Sequence, residues 1–343
     1  MVRVLGRSVL LLALFTATWS PALPDDRQER GEARFSFALI GDTPYGSGPN
    51  SSGDEGKFDR VIDDINHDPH VAWVAHTGDI KTGSSLDTDE LIRARFAQYQ
   101  KFTMPFIYTP GDNEWTDSHR PKEGMYNPLE RLAFVRQVFF PNVGWSTGAR
   151  PMRVRSQAQD PGFGTFVENS MWVRSRVVFA SVHVVGSNDD LDPWTGIGNV
   201  GVVPAQQAEF DARRAANFAW IDKAFALAAE IGANGVFIFQ QADPDFEVPK
   251  GDPLRKVFDP ILDKLFAKTV AFGKPVLLAH GDSHFYKTDK PALDAAGHLI
   301  ENFNRVENFG DTNVHWVRIN VDPDSRNVFQ VEPMIIPENA FPH

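Results

Sequence analysis

The stretch VLLAHGDSHFY (276–286) runs from four apolar residues into a histidine, a Gly-Asp pair and a second histidine. It is the last of four such junctions. FALIGD ends at Asp42, WVAHTGD at Asp79 and FIYTPGD at Asp112, with Asp282 in the same place here. One Gly-Asp after an apolar run is ordinary turn chemistry, because glycine supplies positive φ and aspartate bonds its own backbone. Four copies on continuous apolar runs need a further reason. Short runs without polar alternation read as strands buried on both faces. The chain therefore implies a sheet system whose carboxyl edge is lined with aspartates.

The segments between these strands read as helices. Phe58, Val61, Ile62 and Ile65 recur at helical spacing, as do Leu91, Ile92, Phe96 and Tyr99. Asn127-Pro128 is an N-cap and first-turn pair. Residues 141–164 are irregular and rich in Gly, Pro and Arg, and are expected to border the site as a mobile loop whose Arg150, Arg153 and Arg155 attract an anion. GTFVENSMWV and RVVFASVHVVG then form an antiparallel pair. A long helix over about 205–231, the strand GVFIFQQ and a helix begun by Asp252-Pro253 and divided at Pro260 follow. VHWVRINV and NVFQVEPMII close the chain. This order predicts an α/β protein with mixed sheets, helices outside and hairpins added in the middle and at the end. Ligands of such sheets bind beyond the carboxyl ends of the strands.

The chain has 343 residues, 42% of them apolar, enough for a full core. Arg3 and Arg7 precede the run VLLLALFTATW, and Ser20-Pro21-Ala22 supplies small residues for cleavage, so residues 1–22 read as a secretory signal and 23–34 as a linker to a domain spanning 35–343. The expected location is secreted or periplasmic, with no stable membrane insertion after cleavage. Loss of the two arginines takes net charge from −11 to −13, which argues against duplex nucleic acid as a partner. Cysteine is absent, so neither disulfides nor a thiolate nucleophile enters.

Carboxylates gathered at one edge cannot all stay ionised unless cations sit among them. Two unit charges 4 Å apart repel by about 4 kcal/mol at an effective dielectric near 20. His284 adds an imidazole, which transition metals prefer. At these residues the chain resembles the calcineurin-like metallophosphoesterases, over about residues 35–320. That family carries Asp-x-His, Gly-Asp, Gly-Asn-His-Asp/Glu, a lone His and Gly-His-x-His on the strand ends of a four-layer α/β/β/α sandwich. The resemblance implies this fold and, joined to the signal segment, an exported phosphoesterase whose metal-bound hydroxide attacks a small phosphorylated substrate. It implies Asp42, Asp79 (the bridge between two metals), Asp112, Asp282, His284 and Gln241 as ligands.

The sequence departs from the family pattern at four places. Pro44 stands where the first motif has histidine, with Tyr45 as the nearest substitute; Asp112-Asn113-Glu114 replaces Asn-His-Asp/Glu; Gln241 replaces the lone histidine; Asp282 replaces the first histidine of the last motif. A slip of one residue would make Asn113 the ligand. Oxygen replaces nitrogen throughout. This shift favours Mn, Mg or Ca over Zn, with Fe as a further option, and two divalent ions are expected. It also removes the obvious proton donor. Asn113, which replaces it, His183 and His119 are the candidate catalytic residues, with Glu114 beside them. For His183 and His76 a core histidine is the plainer reading, while His280 serves either the metal or its surroundings. Lys81 and Arg120 are candidates for holding phosphate. The loop SNDDLD (187–192) reads as solvated surface, lacking the glycine and glutamate of a calcium loop.

No Gly-x-Ser-x-Gly elbow, Walker lysine loop or dinucleotide fingerprint is present. Two functions stay open: a metal-dependent phosphoesterase, and a catalytically impaired metal- or anion-binding protein on the same fold. Acidic replacements, rather than apolar ones, favour the enzyme. Substrate and oligomeric state are not encoded in any motif.

Overall fold

The computed structural model describes residues 34–46 and 54–340. The expected signal segment 1–22 and nearly all of the linker 23–34 lie outside them. Among the described residues, no helix is long and apolar enough to cross a membrane.

Among the described residues twelve strands form two sheets: β1 (Phe35–Ile40), β2 (Val71–His76), β3 (Phe106–Tyr108), β4 (Arg155–Ser156), β5 (Ser170–Arg174), β6 (Val177–Ser181), β7 (Gly235–Phe239), β8 (Val276–His280), β9 (Lys287–Asp289), β10 (Phe303–Glu307), β11 (Trp316–Val321) and β12 (Phe329–Met334). The first sheet has the order β12-β11-β1-β2-β3 and the second β4-β5-β6-β7-β8-β10-β9. β1, β2 and β3 are mutually parallel, as are β6, β7, β8 and β10; the first sheet adds antiparallel strands on its β1 side alone, and the second on both sides of its parallel set.

Alternation along the strands divides the core into layers. Phe37, Leu39, Trp73 and Ala75 of the first sheet face Phe179, Phe237, Phe239 and Leu277 of the second, with Phe37 and Trp73 stacked at 5.1 Å. Ala38, Ile40 and Val74 point outward onto Phe58, Ile62, Ile92 and Val135 of the flanking helices. Val178, Val236 and Leu278 do the same onto Trp220, Ile221 and Leu262. The result is an α/β/β/α sandwich, and its two parallel centres present their carboxyl ends along one rim.

The helix Pro204–Glu230 starts with proline in its first turn and ends before the positive-φ Gly232. The expected helix at Asp252-Pro253 is only a turn; the helix begins at Asp259, and Pro260 sits in its first turn rather than dividing it. Residues 141–164 also correct an expectation. Thr147 bridges to Phe106, Gly148 N–H donates to Gln100, and Arg150 donates to the Thr103 carbonyl. Arg153 lies over Trp145 and Arg155 pairs with Asp160. The segment covers the open edge of β3 and supplies no arginine to the site.

Candidate metal centre

Asp42, Asp79 and Asp112 follow β1, β2 and β3 of one sheet, while Asp282 and His284 follow β8 of the other. Asp42 (φ 50°), Asp79 (φ 60°), Asp282 (φ 81°) and His284 (φ 70°) all adopt left-handed backbone. Such residues cost about 1–3 kcal/mol each and cluster at functional sites. Aspartate tolerates this region better than most side chains, because its carboxylate bonds locally. The glycines beside them are there for closeness. A Cβ on Gly111 would lie 2.1 Å from Asp79 Oδ1, and one on Gly281 would lie 2.1 Å from Asp42 Oδ2.

The carboxylates converge as two groups. Asp42, Asp79 and His284 each offer a ligand atom within 4.8 Å of the others, and so do Asp79, Asp112 and Asp282. Asp79 belongs to both. Tyr45 completes the first group: its hydroxyl donates to Asp79 Oδ2 at 2.9 Å and lies 3.2 Å from His284 Nε2. Asn113 Nδ2 donates to Tyr45 Oη at 3.0 Å and to Asp79 Oδ2 at 2.9 Å. Asn308 Nδ2 and the Asp282 N–H donate to Asp42, and Ser187 donates to Asp112 at 3.0 Å. A cavity of about 320 Å³ opens onto the group, its wall including Tyr45, Asp117, Arg120 and Asp311.

Electrostatics show what the arrangement lacks. Burial, then the Asp112 charge, holds Asp79 and Asp282 well above the usual carboxylate range. Burial raises Asp42 to about 7 against hydrogen bonds from Asn308 and Asp282 that pull it down. Crowded carboxylates in this state call for positive charge, and two groups sharing Asp79 suit two divalent cations. The donor set, oxygen-rich with one imidazole, fits them.

A pH prediction follows. In the folded, metal-free protein these aspartates keep protons that the unfolded chain loses near 3.8. Asp42's contribution to stability is therefore full below about pH 4 and is lost as pH rises through about 7, and the contributions of Asp79 and Asp282 are lost in the same direction. Chelator-treated protein should lose Tm between pH 5 and 8, and added manganese should restore Tm at pH 8 but hardly at pH 5. Asp87, raised to about 7, has the same sign without metal contact, and the difference between plus- and minus-metal curves removes its share. Parallel curves would exclude cation binding.

Other expected residues sit elsewhere. His183 is fully buried, its Nδ1 2.8 Å from Glu168 Oε1 and its ring beside Trp115, and it does not reach the cavity. His119 is buried too, accepting from Gly196 N–H at Nδ1, and it does not line the cavity. Gln241 lies behind Asp112: its Nε2 donates to Asp112 Oδ1 at 3.0 Å while its oxygen takes the Gly186 N–H. Glu114 accepts from Tyr108, Gly111 and Asp79 N–H and so holds two ligand loops in place. Lys81 is buried on Glu123 at 2.6 Å and does not line the cavity. His76, its ring against Tyr99, is a core histidine.

SNDDLD is a further correction. Ser187 to Asp190 form a left-handed turn, φ 50–66°, with Asp189 and Asp190 buried. Arg213 binds Asp189, and Asp190 accepts from Trp194 Nε1. The turn aims Ser187 at Asp112 and Asp117. Sequence reasoning also passed over Asn308 and Asp311. The phrase NFGD (308–311), one more Gly-Asp, was their signal.

Residues 35–181 match the family model described as calcineurin-like phosphoesterase, a span that contains Asp42, Asp79, Asp112 and Asn113. No curated protein matches the chain.

Proposed function

We propose that this chain, a member of the calcineurin-like phosphoesterase superfamily, is an exported hydrolase of small phosphate esters that works at a pair of divalent cations. The observation carrying the proposal is Asp79, common to two ligand groups at the mouth of one cavity. Asp42, Asp79 and His284 would hold one cation, with Asp79, Asp112 and Asp282 holding the other. Bound there, the pair neutralises phosphoryl charge and lowers the pKa of water.

The chain's own side chains supply the rest. Arg120 lines the cavity, tied to Asp117 at 2.6 Å and to Ser187 at 3.2 Å; its side chain is 43% exposed, and its guanidinium binds the phosphoryl oxygens. Asn113 donates from the position where the family has histidine. Asp117, at the cavity wall, accepts from Ser187 and pairs with Arg120, and so positions the guanidinium. Substitution of Arg120 by alanine should raise KM about tenfold with a smaller fall in kcat, since a charge-assisted contact contributes about 1.5–3 kcal/mol. An unchanged KM would remove Arg120 from substrate binding.

The second reading, a binding protein without turnover, is favoured by one feature: His284 is the sole histidine at the cavity wall among the described residues, and it belongs to a ligand group. Manganese-loaded protein assayed with p-nitrophenyl phosphate and bis-p-nitrophenyl phosphate separates the two. Turnover abolished by chelation and restored by manganese supports the hydrolase. Stoichiometric metal with no turnover of either ester supports the binder.

A further inference from the structure

Beyond the rim, on the other face of the second sheet, lies a group that the phosphoesterase reading does not use. His280 ends β8 and Glu307 ends β10, and the two residues are direct partners in the parallel ladder. Their neighbours Ala279 and Val306 belong to the core between the sheets, whereas Leu278 belongs to the helix-facing core. His280 and Glu307 therefore point to the helix side. Asp243, four residues beyond β7, closes the triangle. One ligand atom from each of Asp243, His280 and Glu307 lies within 4.8 Å of the other two.

Two details mark this group as a built site and not a chance meeting of acids. His280 is fully buried, and its Nδ1 lies 2.9 Å from the Gly281 carbonyl, which can only accept. That bond fixes the proton on Nδ1 and leaves a bare lone pair on Nε2, the tautomer a metal ligand requires. Nε2 has no hydrogen-bond partner among the described residues. Glu307, also fully buried, takes the Ser283 hydroxyl on Oε1, while its Oε2 likewise lacks a partner among the described residues. Arg305, two residues earlier, is engaged by Asp289 and Glu247.

We propose that Asp243, His280 and Glu307 bind a third divalent cation, of the transition-metal class, separate from the pair at the rim. Two carboxylates match the charge of one such ion, and the imidazole selects against calcium and magnesium. Three protein ligands with an open side toward the half-exposed Asp243 leave room for water in the remaining positions. The ion would be a fastener. Gln241 lies two residues before Asp243, Asp282 and His284 lie two and four after His280, and Asn308 follows Glu307 directly. One cation would thus fix the three loops that carry the second sheet's share of the rim site.

Zinc chloride is the probe, and bound zinc per chain after gel filtration is the readout. Glu307→Gln keeps the side-chain shape and should carry one equivalent fewer than wild type. Asp243→Asn, on a half-exposed loop, should lose the same equivalent without threatening the fold. Both comparisons are repeated in an Asp79→Asn background, where the rim pair is impaired. The difference of one should persist there, so failure of the rim assignment and failure of this one are separable. Zinc-soaked wild-type crystals should show an anomalous peak between the three side chains. Equal zinc content in wild type and both variants, or no anomalous density at this position, overturns the proposal.

Discussion

Asp79→Asn should abolish paired metal binding and cut any hydrolytic rate by at least about 100-fold, given that even residues outside the coordination sphere are worth about 10–100-fold. The replacement is isosteric, and asparagine accepts the left-handed backbone of φ 60° that the position imposes. Its amide can still accept from Tyr45 and Asn113, which lie 2.9 Å from Asp79 Oδ2. What it cannot do is bridge two cations with negative charge on both oxygens. A second effect has the opposite sign. Asp79 is crowded by Asp112, Glu114, Asp42 and Asp282 in a buried setting, so removing its charge relieves repulsion in the metal-free protein. The variant should therefore melt higher than wild type in chelator at pH 8 and gain little when manganese is added. A variant that is destabilised without metal, yet keeps the full manganese-induced shift, would show Asp79 to be a turn former alone.

Arg213→Met should cost about 3–5 kcal/mol, the usual consequence of leaving a buried charge without its partner. Arg213 is fully buried. It donates to Asp189 through side chain and backbone, to Glu209 at 3.0 Å and to the His183 carbonyl at 3.3 Å, and it lies over Trp115. Methionine fills much of the volume but strands Asp189. It also releases the left-handed turn of Ser187–Asp190, whose residues each sit roughly 1–2 kcal/mol above right-handed backbone. Tm should fall by roughly 5–8 °C for a chain of this size. KM for a phosphate ester should rise as well, because Ser187 links Asp112, Asp117 and Arg120. Arg213→Lys should fall between the two, keeping the charge without the fork. A loss below about 1 kcal/mol in Arg213→Met would mean that the turn holds itself.

The parallel strands of the first sheet were legible because β1, β2 and β3 are continuous apolar runs closed by Gly-Asp, a signal with few competing meanings that β8 of the second sheet repeats. The convergence of Asp42, Asp79, Asp112 and Asp282 follows from that punctuation and from strand order alone. β10 was not legible. Phe303–Glu307 reads FNRVE, with a buried arginine neutralised by Asp289 and Glu247 from other segments, so no local pattern betrays it. Missing that strand concealed Asn308 and Glu307 together. SNDDLD failed for a related reason: its burial depends on Arg213, 24 residues beyond Asp189. His183 was ambiguous from sequence because its partner Glu168 is likewise remote, 15 residues away. Tertiary charge pairing, rather than hydrophobic pattern, decided each of these cases.

The division of the rim ligands between two sheets bears on how the protein is made. Asp42, Asp79 and Asp112 emerge from the ribosome within the first third of the chain, whereas Asp282, His284 and Asn308 come in its final fifth. A growing chain thus carries three loose acidic loops for most of its synthesis and cannot enclose an ion until nearly all of it has appeared. Under the function proposed above, metal acquisition is a late event, and the ions available where folding finishes decide the loading.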